Sequence, residues 1–129
     1  TMQIHQSAED YLETILMLNQ RMGRVRSIDV VNELGYTKAS VSIAMKKLRE
    51  NGYIAVDGEG NLTLLEPGRE IAERIYSRHR LLTHFFVQLG VDEEIAAEDA
   101  CKAEHILSEQ TLKKIREYAL LHDAQDSVK

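Results

Sequence analysis

One cysteine, Cys101, stands in 129 residues. That excludes an internal disulfide framework and any Cys-x-x-Cys zinc finger. A lone thiol suits a reducing compartment, and a cytoplasmic location is expected. Tryptophan is absent and proline occurs once, so no stretch reads as a Pro-rich linker. No apolar run approaches the ~20 residues of a bilayer-spanning helix, and no membrane partner is expected. The first residues, Thr1-Met2-Gln3-Ile4-His5, lack the basic-then-apolar order of a secretion signal. No Gly-x-Gly-x-x-Gly, Walker-type loop or Gly-x-Ser-x-Gly elbow is present, which removes the common nucleotide-binding and serine-hydrolase readings. There is no internal repeat.

Acidic residues outnumber basic ones, 21 to 16, but unevenly. Between Arg21 and Glu50 lie Arg21, Arg24, Arg26, Lys38, Lys46, Lys47 and Arg49, against only Asp29, Glu33 and Glu50. From Leu89 to Lys129 the balance reverses, with five basic and ten acidic residues. A local basic field, rather than total charge, attracts phosphates. The acidic part suits cations or a second subunit.

The periodicity predicts a mainly α chain. Tyr11, Leu12, Ile15, Leu16 and Leu18 repeat at helical spacing from Ser7, a candidate cap, to about Met22. Ser27 is the candidate cap of a short second helix ending at Leu34-Gly35. Thr37 caps a third, Lys38 to Glu50, with Val41, Ala44, Met45 and Leu48 facing inward. Tyr53–Val56 and Leu62–Leu64 read as strands joined by Asp57-Gly58-Glu59-Gly60-Asn61. Two short helices around a Gly-containing turn, then a hairpin, make a winged helix-turn-helix over residues 1–65. An all-helical domain for metal binding and dimerisation is expected over 66–129. Its first helix carries Pro67 in its opening turn and ends near Leu89. Asp92 caps the next, through about Leu107, and Ser108 the last, to about Leu121; the tail from His122 reads as frayed or truncated. Leu107, Leu112, Ile115 and Ala119 are the expected dimer surface, unless the preceding helix covers them within the subunit.

In a helix-turn-helix the second helix enters the major groove by its N-terminal residues. Here these are Thr37, Lys38, Ala39, Ser40 and Ser42, with Lys46 a turn further on. Hydroxyls and lysines bond base edges or phosphates, and Ala39 suits a thymine methyl. Arg24 and Arg26 are placed to hold the DNA backbone. The expected partner is double-stranded DNA, with no small organic substrate.

Cys101, Glu104 and His105 lie at i, i+3 and i+4, a spacing that aligns thiolate, carboxylate and imidazole along one side of a helix. Asp10 and Glu13 do the same on the first helix, and His79 interrupts the apolar stripe of the fourth. Mixed oxygen, nitrogen and sulfur donors suit first-row transition metals better than calcium or magnesium. Each residue also has a plainer reading. Asp10 completes a capping box with Ser7; Glu13 is a solvated carboxylate; His79 is a hydrogen-bonded core histidine; Cys101 is a small buried hydrophobe.

Ser7-Ala8-Glu9-Asp10-Tyr11-Leu12-Glu13, Arg78-His79-Arg80-Leu81-Leu82 and Cys101-Lys102-Ala103-Glu104-His105-Ile106-Leu107-Ser108 together resemble the DtxR/MntR family of iron- or manganese-dependent bacterial repressors. The resemblance runs over nearly the whole chain and is closest to the short type, without an SH3-like third domain. It implies that Asp10, Glu13, His79, Cys101, Glu104 and His105 are metal ligands. The set is a hybrid. Asp10 and Glu13 match the manganese branch, Cys101 the iron branch, and His79 both. The ancillary site of the iron branch falls on Thr83 and Ala97 and is expected to be absent. A thiolate in place of a carboxylate leans toward Fe²⁺ ahead of Mn²⁺, with Zn²⁺ or Co²⁺ also favoured in vitro.

The expected function is a metal-activated repressor of metal-uptake genes. A metal fixes the DNA-binding part relative to the dimerisation part, so that a homodimer spans a palindromic operator. Two rival readings are a winged-helix regulator that answers to an organic ligand and, more remotely, a metallohydrolase. A chelator that leaves DNA affinity unchanged favours the first. The lack of a pocket-forming sheet and of a separate general base argues against the second.

Overall fold

The computed structural model describes residues 6–128, with side chains described as far as Asp123; the opening residues 1–5, read above for a signal, lie outside it. The chain forms two compact units that divide at Arg74 and Ile75.

The first unit runs α1 (Gln6–Met22), α2 (Ser27–Leu34), α3 (Lys38–Glu50), β1 (Ile54–Val56), β2 (Leu62–Leu64) and the opening turns of α4 (Glu66–Gln88). The apolar spacing of α1 buries Leu12, Ile15, Leu16 and Leu18. Val30 of α2 and Val41, Met45 and Leu48 of α3 join this core. Ala44, expected inward, is only half-buried. Gly35 ends α2 at φ 71°, where a side chain is strained, and its N–H donates to the Val31 carbonyl at 2.8 Å. Two residues on, Thr37 caps α3, its Oγ1 accepting the Ser40 N–H at 3.1 Å.

The hairpin is antiparallel, with Ile54 opposite Leu64 and Val56 opposite Leu62. Leu62 and Leu64 are buried and Thr63 is exposed, the alternation of a half-covered ladder. The Leu62 N–H donates to the Val25 carbonyl at 2.7 Å, which ties the hairpin to the segment between α1 and α2. Asp57 organises the turn: Oδ1 accepts the N–H groups of Glu59 and Asn61, each at 2.9 Å, and Oδ2 accepts from the Asn61 amide. These bonds, led by those from Asn61, hold its carboxyl below the usual aspartate range. Where α4 begins, a Cβ on Gly68 would stand 2.2 Å from the Tyr53 carbonyl oxygen, so only glycine fits.

The second unit contains the rest of α4, α5 (Glu93–Ala103) and α6 (Glu109–Val128). Leu82, Ala100 and Leu112 form its centre, with Leu81, Phe86, Ala103, Leu107 and Ile115 packed around them. Ser108 caps α6, its Oγ accepting the Thr111 N–H at 3.2 Å. Further along, Gln88 of α4 donates to the Ala119 carbonyl and to Asp123 of α6, and His84 lies 2.9 Å from Asp123.

The mainly α winged-helix architecture with a helical second part is as expected, but several boundaries differ. α1 begins at Gln6, so Ser7 lies inside the helix and does not cap it. Arg26, not Ser27, is the α2 cap residue, and its N–H donates to Asp29 Oδ2 at 2.8 Å. α5 stops at Ala103, leaving Glu104–Ile106 in a turn, because Ser108 starts α6 only five residues later. α6 does not fray at His122 but continues to Val128. Leu112 and Ala119 are buried inside the subunit, so half of the expected dimer stripe is covered, while Leu107 and Ile115 are half-buried. The large exposed apolar residues of this unit are others: Val87, Leu89, Ile95, Ile106, Tyr118, Leu120 and Leu121.

Candidate metal centre and DNA-facing surface

Within the second unit, α4 and the turn after α5 bring three of the expected ligands together. Glu104 is fully buried at the C-cap of α5, its N–H donating to the Ala100 carbonyl at 2.9 Å. Its Oε2 lies 3.2 Å from Nδ1 of His79, and its Oε1 lies 3.5 Å from Nε2 of His105. Neither carboxylate oxygen makes a hydrogen bond, nor does His79 Nδ1, although all three atoms are buried. A buried carboxylate without hydrogen bonds costs several kcal/mol, of order 1–3 or more. A buried carboxylate with an imidazole nitrogen beside each of its oxygens offers the donor types of a first-row divalent metal. The residues fit such an ion.

The turn that presents Glu104 is itself held. Arg78, one residue before His79 and largely buried, donates to the Glu104 carbonyl oxygen at 3.2 Å and pairs with Glu109 at the start of α6. Along α4, the Thr83 hydroxyl donates to the His79 carbonyl at 2.8 Å. Arg78 entered the sequence reading only as part of a motif. Its role depends on a fold that folds α5 back on α4, and the only signal was its place beside His79.

Three expected ligands remain. Asp10 and Glu13 lie on α1 of the first unit, one turn apart. Glu13 is 5% exposed among Leu12, Thr14 and Ile15, so it is no solvated carboxylate, and the inclusion of Ser7 in the helix removes the capping-box reading of Asp10. Cys101 is exposed, one turn before Glu104, and is not the buried hydrophobe of the plainer reading.

The α3 surface is polar and open. Thr37, Lys38, Ala39, Ser40, Ser42 and Lys46 are all exposed, as are Arg24 and Arg26. Two of these have structural work as well. Thr37 is the cap and its hydroxyl also donates to Ser40 Oγ at 2.9 Å; Arg26 is the cap residue of α2. Arg24 pairs with Glu59 of the turn at 3.8 Å, both well exposed, an arrangement worth little and easily traded for phosphate. Behind this surface Tyr36 packs edge-on against Tyr11 at 5.9 Å. Burial, aided by Tyr36, raises the Tyr11 hydroxyl above the usual tyrosine range.

Comparison with known proteins places these two halves. Residues 3–62 match the iron dependent repressor N-terminal DNA binding domain, and residues 65–121 match the iron dependent repressor metal binding and dimerisation domain. An HTH-type transcriptional regulator of Methanocaldococcus jannaschii is 35% identical over 113 residues, 86% of this chain and 90% of that one. The regulator MntR of Bacillus subtilis is 32% identical over 95% of this chain and 87% of its own. Among solved structures, the T. acidophilum IdeR aligns over 92% of this chain with a TM-score of 0.79 and 23% identity, a likeness of fold. A manganese-dependent transcriptional repressor in complex with manganese aligns over 87% of this chain with a TM-score of 0.79 and 28% identity. The chain spans about half the length of these two structures, 55% and 52%. With a winged helix and a metal-binding dimerisation unit matched in order along the chain, it belongs to the DtxR/MntR family of metal-dependent transcriptional repressors.

Proposed function

We propose that this chain is a Mn²⁺- or Fe²⁺-activated repressor that binds a palindromic operator as a homodimer. The observation that carries the metal half is the buried Glu104 carboxylate flanked by His79 and His105. His79, Glu104 and His105 would hold metal from the second unit, and Asp10, Glu13 and Cys101 are the further ligands of the proposal. The ion's chemistry is that of a Lewis-acidic charge that neutralises carboxylates; no bond in DNA is broken. Metal activates only if it favours one DNA-competent arrangement of the dimer, as any allosteric effector must. In a twofold dimer that arrangement sets two α3 helices at a half-site spacing of about 34–36 Å.

The metal preference turns on Cys101. Imidazole and carboxylate alone suit Mn²⁺ and Fe²⁺ alike, and the relatives named MntR and the manganese complex support Mn²⁺. A thiolate added to the set leans toward Fe²⁺. The test is anaerobic titration of metal-free protein with each ion, read by fluorescence anisotropy of a duplex from its own upstream region. Both metals are expected to tighten binding, and Cys101→Ser is expected to shift the preference toward Mn²⁺. DNA affinity that ignores both metals overturns the proposal and favours an organic effector.

A further inference from the structure

The outward ridge of α3 carries one large apolar side chain, Ile43, on an otherwise polar surface. Val41, Met45 and Leu48 fill the buried side, each at most 5% exposed. On the opposite side Ala39, Ile43 and Lys46 follow one another at i, i+4 and i+7, and Ile43 is 58% exposed. Nothing in the fold accounts for an isoleucine there. It contributes little burial, and a β-branched residue in a helix interior is less favourable than Leu, Lys or Glu. Ile43 stands between two shallow grooves, one lined by Ser42, Met45 and Val56, the other by Tyr11, Ala44 and Leu48. Lys46, Lys47 and Arg49, all exposed, surround it with cations. The hydroxyls nearest the helix start, Thr37 and Ser40, are already bonded to each other in the cap.

We propose that Ile43 is a specificity-determining residue that, with Ala39, reads thymine C5-methyl groups in the major groove. Thymine is the one base that offers a methyl on that edge. Ala39 and Ile43 are four residues apart, about 6 Å along the helix axis, which is roughly two base-pair steps. The surrounding cations hold phosphates without regard to sequence, and the methyl contacts supply the discrimination. The inference rests on α3 entering the major groove, and adds which side chain selects A·T pairs there.

The test begins with selection of binding sites from a randomised duplex pool in the presence of Mn²⁺, with the wild-type chain and with Ile43→Ala. Each thymine of the wild-type site is then replaced by uracil, which removes only the methyl. Wild type is expected to lose about fourfold in affinity per contacted methyl and about sixteenfold when both half-sites are changed, the effect of one buried carbon each time. Ile43→Ala, a better helix former, is expected to keep its thermal midpoint and its affinity for random duplex. It is also expected to bind thymine and uracil sites equally at that position and to select a relaxed sequence there. Equal uracil penalties in the two proteins, or no penalty in wild type, overturn the assignment of Ile43 while DNA binding stands. Failure of wild type to bind any duplex overturns the DNA-binding reading and this inference with it.

Discussion

The two units handle polar groups in opposite ways. In the first, polar side chains close local structure: Thr37 caps α3, Asp29 bonds the start of α2, and Asp57 ties together the hairpin turn. The second unit keeps Glu104 fully buried between two imidazoles with neither oxygen hydrogen-bonded, and leaves Leu89, Ile106, Leu120 and Leu121 more than half exposed. The first unit is closed mainly by such local bonds, although it too buries a carboxylate, that of Glu13. The second carries the features of a part whose stability is completed by a ligand and by a second surface.

The largest effect expected from this contrast lies at Glu104. Glu104→Ala is expected to lower Mn²⁺ affinity at least ~100-fold, since losing a ligand exceeds the effect of losing a residue that merely orients one. The metal-free chain is expected to keep or gain thermal stability, because a buried charge has been removed. Calorimetry with and without Mn²⁺ reads both; a large loss of metal-free stability makes Glu104 structural and blurs the contrast.

Next comes Gly68. Gly68→Ala drives a Cβ into the Tyr53 carbonyl and is expected to cost about 1–3 kcal/mol, with metal affinity unchanged. Denaturant unfolding checks the stability, and a neutral result means that α4 shifts freely at its start. Thr37→Ala removes a helix cap and is expected to cost ~1 kcal/mol and to weaken DNA binding at saturating metal.

The smallest effect concerns Asp57. Its carboxyl is held below the usual range, so it contributes stability that is present above its unfolded value of about 4 and is lost as pH falls through the lower folded value. Asp57→Asn is expected to flatten that acid limb slightly. Urea midpoints between about pH 5 and pH 3 measure it, and parallel curves for the two proteins remove the turn from the account.

Local pattern carried the helix-turn-helix, the wing and the caps at Thr37 and Ser108, because periodicity and capping chemistry are written within a few neighbouring residues. What it could not carry was closure at a distance. The apolar repeat of α6 fades after Leu121, yet Gln88 and His84 of α4 hold Asp123 and the helix runs on. Leu112 and Ala119 looked like spare surface until α4 and α5 covered them. His79, Glu104 and His105 were legible as donors by type. Their meeting point depends on α5 ending early at Ala103, and no Gly or Pro marks that stop. That Arg78 holds the turn was not legible for the same reason, although its motif was.

If metal and operator bind the same arrangement of this chain, each must tighten the other. Mn²⁺ affinity is measured anaerobically by calorimetry on the chain alone and on the chain bound to its operator duplex, alongside operator affinity with and without Mn²⁺. DNA is expected to tighten Mn²⁺ by the same factor as Mn²⁺ tightens DNA, at least tenfold in each direction. A Mn²⁺ affinity that is the same on and off the operator contradicts it.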